Sequence, residues 1–157
     1  MDRWWEEIPR KREAADALLL DGAGRALIVQ NAWNEAWTLP GGALEAGETP
    51  RRGAEREIEE ELGLSAVMGR LLVVDWEPPT ETLPIDGVMT MFDGGVLTSA
   101  QIAAIRLQEK EIAAFRFVTP DELPDGLPGI LRRRLRMALS ARESGATVYL
   151  ENGYAPS

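Results

Sequence analysis

The chain has 157 residues, with 26 Asp and Glu against 17 Lys and Arg for a net charge of -9, and it contains neither cysteine nor histidine. That inventory excludes zinc clusters, disulfides, thiol nucleophiles and Ser-His-Asp triads, and the acidic balance argues against a nucleic acid polymer as partner. With 45% hydrophobic and 27% charged residues over this length, one globular domain spanning residues 1–157 is the default.

The start, Met1 to Glu7, lacks the basic-then-apolar layout of a signal peptide, and no stretch approaches the roughly 18 apolar residues of a membrane span. The expectation is a cytoplasmic protein without a membrane partner. Residues 1–12 and 151–157 are expected to be peripheral, and Trp4 and Trp5 either seal a homodimer contact or fold back onto the sheet. Ala14 to Leu20 and Arg25 to Gln30 are apolar runs around Asp21-Gly22-Ala23-Gly24, the composition of a β-hairpin. Asn31 to Trp37 is a polar loop, and Thr38-Leu39-Pro40-Gly41-Gly42 ends in residues that no long element tolerates. Val67 to Trp76 and Val88 to Phe92 read as strands, separated by a loop from Glu77 to Pro84 that its prolines keep out of a sheet. Thr98-Ser99-Ala100-Gln101 resembles a capping box opening a short helix through Ile105, and Ala114 to Val118 is a further strand. Leu127 to Arg142 is a helix with an apolar stripe, its arginines forming either a solvated face or an anion or dimer contact. Thr147 to Leu150 adds a short edge strand.

The acids are concentrated from Gly42 to Leu64, where seven (Glu45, Glu48, Glu55, Glu57, Glu59, Glu60, Glu61) face three bases (Arg51, Arg52, Arg56). Thr49 caps and Pro50 opens a helix over 50–62, and Gly63 stops it. At about 100° per residue, Glu57, Glu60 and Glu61 share a stripe about 100° wide, flanked by Ala54, Ile58 and Leu62 on the core-facing edge. Glu55 and Glu59 fall on the far side. Like charges so placed repel one another, and an oxygen-only donor set asks for Mg²⁺ or Mn²⁺. A solvated acidic helix would account for the charges, though not for the glycine loop directly before them.

Gly42, Glu48, Arg56-Glu57-Ile58, Glu60-Glu61 and Gly63-Leu64 fill all nine specified positions, over 23 residues, of G-x5-E-x7-R-E-U-x-E-E-x-G-U. This segment resembles the signature of the Nudix hydrolase family, and softer likeness extends over roughly residues 14 to 142. The resemblance implies an α/β/α sandwich with a mixed β-sheet, and hydrolysis of a small-molecule diphosphate with Mg²⁺ that Mn²⁺ can replace. It implies Glu57, Glu60 and Glu61 as metal ligands, with the carbonyl of Gly41, and Arg56 as the group orienting Glu57. Gly42 and Glu48 would support the loop.

With no histidine available, a carboxylate or a metal-bound hydroxide must take a water's proton. The box glutamates are preferred for this over Glu111, with Glu109 and Glu81 behind it; Glu111 otherwise reads as a surface charge. For the group attached to the diphosphate, Trp33, Trp37, the loop Glu77 to Asp86 and Asp93 are the candidate pocket residues, with Trp37 equally readable as core. The alternative to an enzyme is a nucleotide-binding or sensing module of the same fold, which would have no need of an intact carboxylate set.

Overall fold

The computed structural model describes all 157 residues. Its strands are β1 (Arg12–Leu20), β2 (Ala26–Asn31), β3 (Trp37–Thr38), β4 (Gly41–Ala43), β5 (Leu71–Glu77), β6 (Gly87–Val96), β7 (Ile112–Val118) and β8 (Val148–Glu151). The helices are α1 (Pro50–Leu62), α2 (Ser99–Ala103) and α3 (Gly129–Ser144), preceded by a 3₁₀ turn at Trp4–Glu7.

All eight strands join one mixed sheet in the order β3-β2-β1-β6-β5-β8, with β4 against β1 and β7 against β2. The β1–β2 turn forms because Asp21 Oδ1 accepts the amides of Ala23 and Arg25 at 3.0 and 2.9 Å, and Gly24 takes the positive φ of 78° that closes it. The hairpin strands meet at Leu20 opposite Ala26. Then β2 leaves to pair with β7, while β1 runs parallel to β6. Into the opening step β3, against Val29 and Gln30, and β4, against Ala14 to Asp16. This parting of the hairpin brings the Gly41-Gly42 loop to the middle of β1.

Both faces of the sheet are covered, which is why β1 and β2 read as continuous apolar runs. Ala15, Ala17, Leu19, Leu27 and Val29 pack with Ala54, Ile58 and Leu62 of α1; Leu18, Leu20, Ile28, Leu72 and Met91 pack with Leu135 and Ala138 of α3. The molecule is the expected α/β/α sandwich.

Three expectations shift. The strand expected from Val67 starts at Leu71, because Val67 is exposed and the residues before Leu71 form a connection. The late helix begins after Pro128 and runs to Ser144, closed by Gly145 at φ 73°. Its arginines do not stand free as a solvated face, since each reaches an acceptor within the chain. Arg132 reaches the carbonyls of Leu127 and Pro124, Arg133 that of Asn152, Arg136 that of Pro120, and Arg142 the carboxylate of Asp93. Arg134 is buried. Each arginine finds an acceptor within the fold that a helical projection does not show. No helix is long and apolar enough to cross a membrane.

Candidate active site

The acidic helix is built as its sequence dictates. Thr49 accepts the amide of Arg52 at 3.3 Å, Pro50 occupies the first turn, and Gly63 closes the end at φ 68°. Gly53 lies under the side chains of Leu44 and Glu48, so the preceding loop can lie flat on α1. Ala54, Ile58 and Leu62 are wholly buried, and the neighbouring carboxylates grade outward from them: Glu61 is only 5% exposed, Glu57 is half-buried and Glu60 lies at the rim.

Across from them, Gly41 and Gly42 of β4 pair with Asp16 and Ala15 of β1. The amide of Ala17 donates to Pro40 and that of Leu44 to Glu13, so the antiparallel alternation leaves Gly41 in a pair whose N–H and C=O point away from β1. That free amide donates to Glu61 Oε1 at 3.2 Å. Glu61 Oε2, also enclosed, has no partner. A Cβ on Gly42 would stand 2.7 Å from the Glu57 carboxyl carbon, so glycine here lets the carboxylate close on the loop.

Arg56 ties the group together. Its Nε and Nη2 grip Glu48 at 2.8 and 2.9 Å, Nη1 donates to Glu57 at 3.0 Å and to Glu60 at 3.2 Å, and Nη2 also reaches the Ala43 carbonyl at 3.0 Å. The guanidinium holds Glu48 below the usual carboxylate range, and these partners raise its own proton affinity, so it stays charged. Burial pushes Glu57 up despite Arg56, and pushes Glu61 from 4.5 to about 9. As they stand, no three acidic side chains converge on one point, since Glu57 and Glu60 both turn onto Arg56. Oxygen donors fit a hard cation, and the unpartnered, enclosed Oε2 of Glu61 is the atom that most needs one.

Two residues near this constellation differ in how visible they are in the sequence. Glu111 precedes β7, is exposed, and stands close enough to raise the proton affinity of both Glu57 and Glu61. Asp16 is missed by sequence reasoning. It is a lone carboxylate in the run Ala14 to Leu20, and that anomaly was the available signal. Burial drives its pKa to about 7 against the opposing charge of Arg134.

The aromatic candidates separate. Trp37 belongs to the core, with the Arg116 guanidinium 4.8 Å from its ring centroid and Gly126 against its edge, so as a pocket wall it is corrected. It is buried because β3 carries it in against β2. Trp33 is 70% exposed on the loop before β3 and lines no cavity. Asp93 is occupied by Arg142 at 3.1 Å. The loop before β6 does line a cavity of about 390 Å³, where Leu83 meets Arg12, Glu13, Ala14, Ala43, Leu44 and Met89 beside β4. A larger cleft of about 460 Å³ lies behind α1, among Arg52, Glu55, Glu59 and Val67. Glu48 and Arg56 line it too, while Glu57, Glu60 and Glu61 do not.

Residues 10–138 match the NUDIX domain family. The chain is 31% identical over 116 residues to a MutT-like protein of Streptomyces ambofaciens, covering 74% of this chain and 69% of that one. To an RNA pyrophosphohydrolase of Zymomonas mobilis it is 32% identical over 103 residues, 58% of this chain and 66% of the relative. The crystal structure of a UDP-X diphosphatase superimposes with a TM-score of 0.73 at 25% identity, covering 91% of this chain and 68% of the other. The chain belongs to the Nudix family.

Proposed function

We propose that this Nudix protein is an enzyme that hydrolyses a diphosphate linkage in a nucleoside di- or triphosphate, or in a related small molecule carrying a diphosphate. Its cofactor is Mg²⁺, replaceable by Mn²⁺, and its compartment the cytoplasm. The observation that carries the reading is Glu61: a carboxylate enclosed beside Gly41, one oxygen satisfied by an amide and the other by nothing. Burying such a group costs stability unless a proton or a cation completes it.

Glu57, Glu60 and Glu61 would hold the cation, with the outward carbonyl of Gly41. A bound divalent cation neutralises phosphate oxygens and makes a water acidic enough to attack. Arg56 keeps Glu57 and Glu60 on one side of the helix, and Glu48 fixes Arg56 by two bonds. The attacking water would give its proton to a carboxylate of this helix, and Arg56 fixes the position of Glu57 beside the cation for that role. Glu111, whose charge raises the proton affinity of Glu57, is the candidate outside the helix.

A small substrate is favoured over an RNA end by the net charge of -9, which repels a polyanion beyond its first phosphates. Relatives with names as different as RNA pyrophosphohydrolase and UDP-X diphosphatase share the fold, so the attached group must be found by assay. The test is a release assay with Mg²⁺ over nucleoside triphosphates, nucleotide sugars, prenyl diphosphates and a 5′-triphosphorylated oligonucleotide, scoring phosphate, diphosphate and monophosphate. Metal-dependent release from a small substrate is expected. Binding of nucleotides without release under Mg²⁺ or Mn²⁺ would establish the sensing module instead.

A further inference from the structure

Asp16 lies on β1 directly opposite Gly41 of β4. Its nearest cation is Arg134 of α3, with Nη1 3.6 Å from Oδ2. The same guanidinium is already bonded more closely by Asp75 at 2.9 Å and Glu77 at 2.7 Å. Arg134 therefore has its neutralising partners without Asp16. A third acid held largely out of solvent against one arginine is a cost to the fold, and a role elsewhere would explain why it is tolerated.

That role is visible at Gly41. Its φ of 144° is one that side chains rarely adopt, and a Cβ there would collide with Asp16 Oδ1 and with the Ala15 carbonyl. On one side of the Gly41 backbone stands the Asp16 carboxylate; on the other, Glu61 Oε1 takes the Gly41 amide. Glycine has the widest backbone freedom of any residue, so a peptide at this position stays where its neighbours hold it. We infer that Asp16, anchored by Arg134, is a positioning residue that clamps the Gly41 peptide in the direction the strand pairing sets, its amide held on Glu61 and its carbonyl outward. The clamp stands on contacts within the chain. Its consequence for the cation rests on the function proposed above.

Outer partners of metal ligands typically change affinity or activity by about 10 to 100-fold when removed. The test uses the full chain with Asp16→Ala and Asp16→Asn, and reads two quantities: protection of the Gly41 amide from hydrogen exchange in the metal-free protein, and the Mn²⁺ dissociation constant by electron paramagnetic resonance. Asp16→Ala should lose Gly41 protection and weaken Mn²⁺ binding about tenfold, with kcat falling more than KM changes. Asp16→Asn keeps the shape and a polar atom facing Arg134, and should recover most of both. If Asp16→Ala does not fold, Asp16→Thr carries the same test, since it suits a strand and lacks the carboxamide or carboxylate. Wild-type Gly41 protection in the alanine or threonine variant overturns the clamp. Asparagine as damaging as alanine also overturns it, because charge and not placement would then be the cause. A wild-type protein that binds no Mn²⁺ would sink the cation reading, while the Gly41 amide still decides on Asp16.

Discussion

An arginine gathers several carboxylates twice in this fold, three around Arg134 and four around Arg56, and the two gatherings differ in what surrounds them. Arg134, 2% exposed, lies under α3 against Asp16, Asp75 and Glu77; Arg56, 21% exposed at the side chain, lies on α1 against Glu45, Glu48, Glu57 and Glu60. In the buried cluster Asp75 is finished off by the Gly153 amide at 2.9 Å, which locks the last strand to the sheet. In the exposed cluster Glu60 opens to water, and Glu61 beside it is left with an unpartnered oxygen. The first arrangement holds the sandwich together; the second is unfinished, as a site that takes a charged ligand must be.

The comparison breaks most visibly at Arg134. Arg134→Met should leave Asp75 as a buried acid without its cation, with Glu77 keeping only Arg12 at 3.4 Å, and cost about 3 to 5 kcal/mol in urea unfolding. Arg56→Met, at the half-open cluster, should cost on the order of 1 kcal/mol yet abolish most turnover. Equal stability losses in the two variants would erase the distinction.

Next in size is the effect on rate. Glu61→Gln and Glu57→Gln keep size and remove charge, and each should lower turnover by about two to three orders of magnitude, roughly 2.7 to 4 kcal/mol of barrier. Glu61→Gln should also change how stability depends on pH. The pKa of Glu61 rises from 4.5 to about 9 on folding, so between those values the folded state holds a proton that the unfolded chain has released. Its contribution is present below pH 4.5 and lost as pH rises to 9, so the metal-free protein should melt at progressively lower temperature across that window. Asp16, raised from 3.8 to about 7, adds to the slope at its acid end. The glutamine variant should flatten the alkaline part of the slope. An unchanged slope between pH 7 and 9 would mean that Glu61 titrates normally.

Much of this site was legible because helical geometry is regular. The spacing of Glu57, Glu60 and Glu61 beside Ala54, Ile58 and Leu62 fixes one stripe running from core to solvent, and the structure grades the three carboxylates in that order of exposure. The caps at Thr49, Gly63, Thr98 and Gln101 are local devices and form as read. What stayed hidden is whatever depends on pairing between distant segments. Nothing local in Asp16 announces that Gly41 faces it, because strand register is set by the whole sheet. Arg134 lies among four other arginines of one helix, and only the position of β5 picks it out for burial. Trp37 failed as a pocket residue for the same reason, since β3 exists only once β2 has parted from β1.

A smaller effect tests whether the open cluster is completed by a cation. At free Mg²⁺ about ten times its dissociation constant, mass action adds on the order of 1.4 kcal/mol to stability, read as a raised melting temperature. Glu61→Gln should blunt that rise, whereas a variant of the buried cluster that still folds, Glu77→Gln, should keep it. A melting temperature unmoved by Mg²⁺ and Mn²⁺, with and without a non-hydrolysable diphosphate, would make both clusters structural.

The smallest expected effect carries the sharpest geometric information. Glu59 sits between the site residues in sequence, yet at about 100° per residue it points roughly 160° away from both Glu57 and Glu61. In the structure it is exposed and lines the cleft behind α1 with Arg52 and Glu55. Glu59→Gln removes the same charge from the same helix, and the helix propensities of the two residues are nearly equal. Any general effect of helix charge on folding, steering or cation attraction is therefore shared with Glu57→Gln and Glu61→Gln, while loss of a ligand is not. Turnover within about twofold of wild type is expected for Glu59→Gln, roughly 0.4 kcal/mol at most. Loss as deep as that of Glu61→Gln would show that the helix works through its total charge, and the division of α1 into a working face and a solvent face would fall.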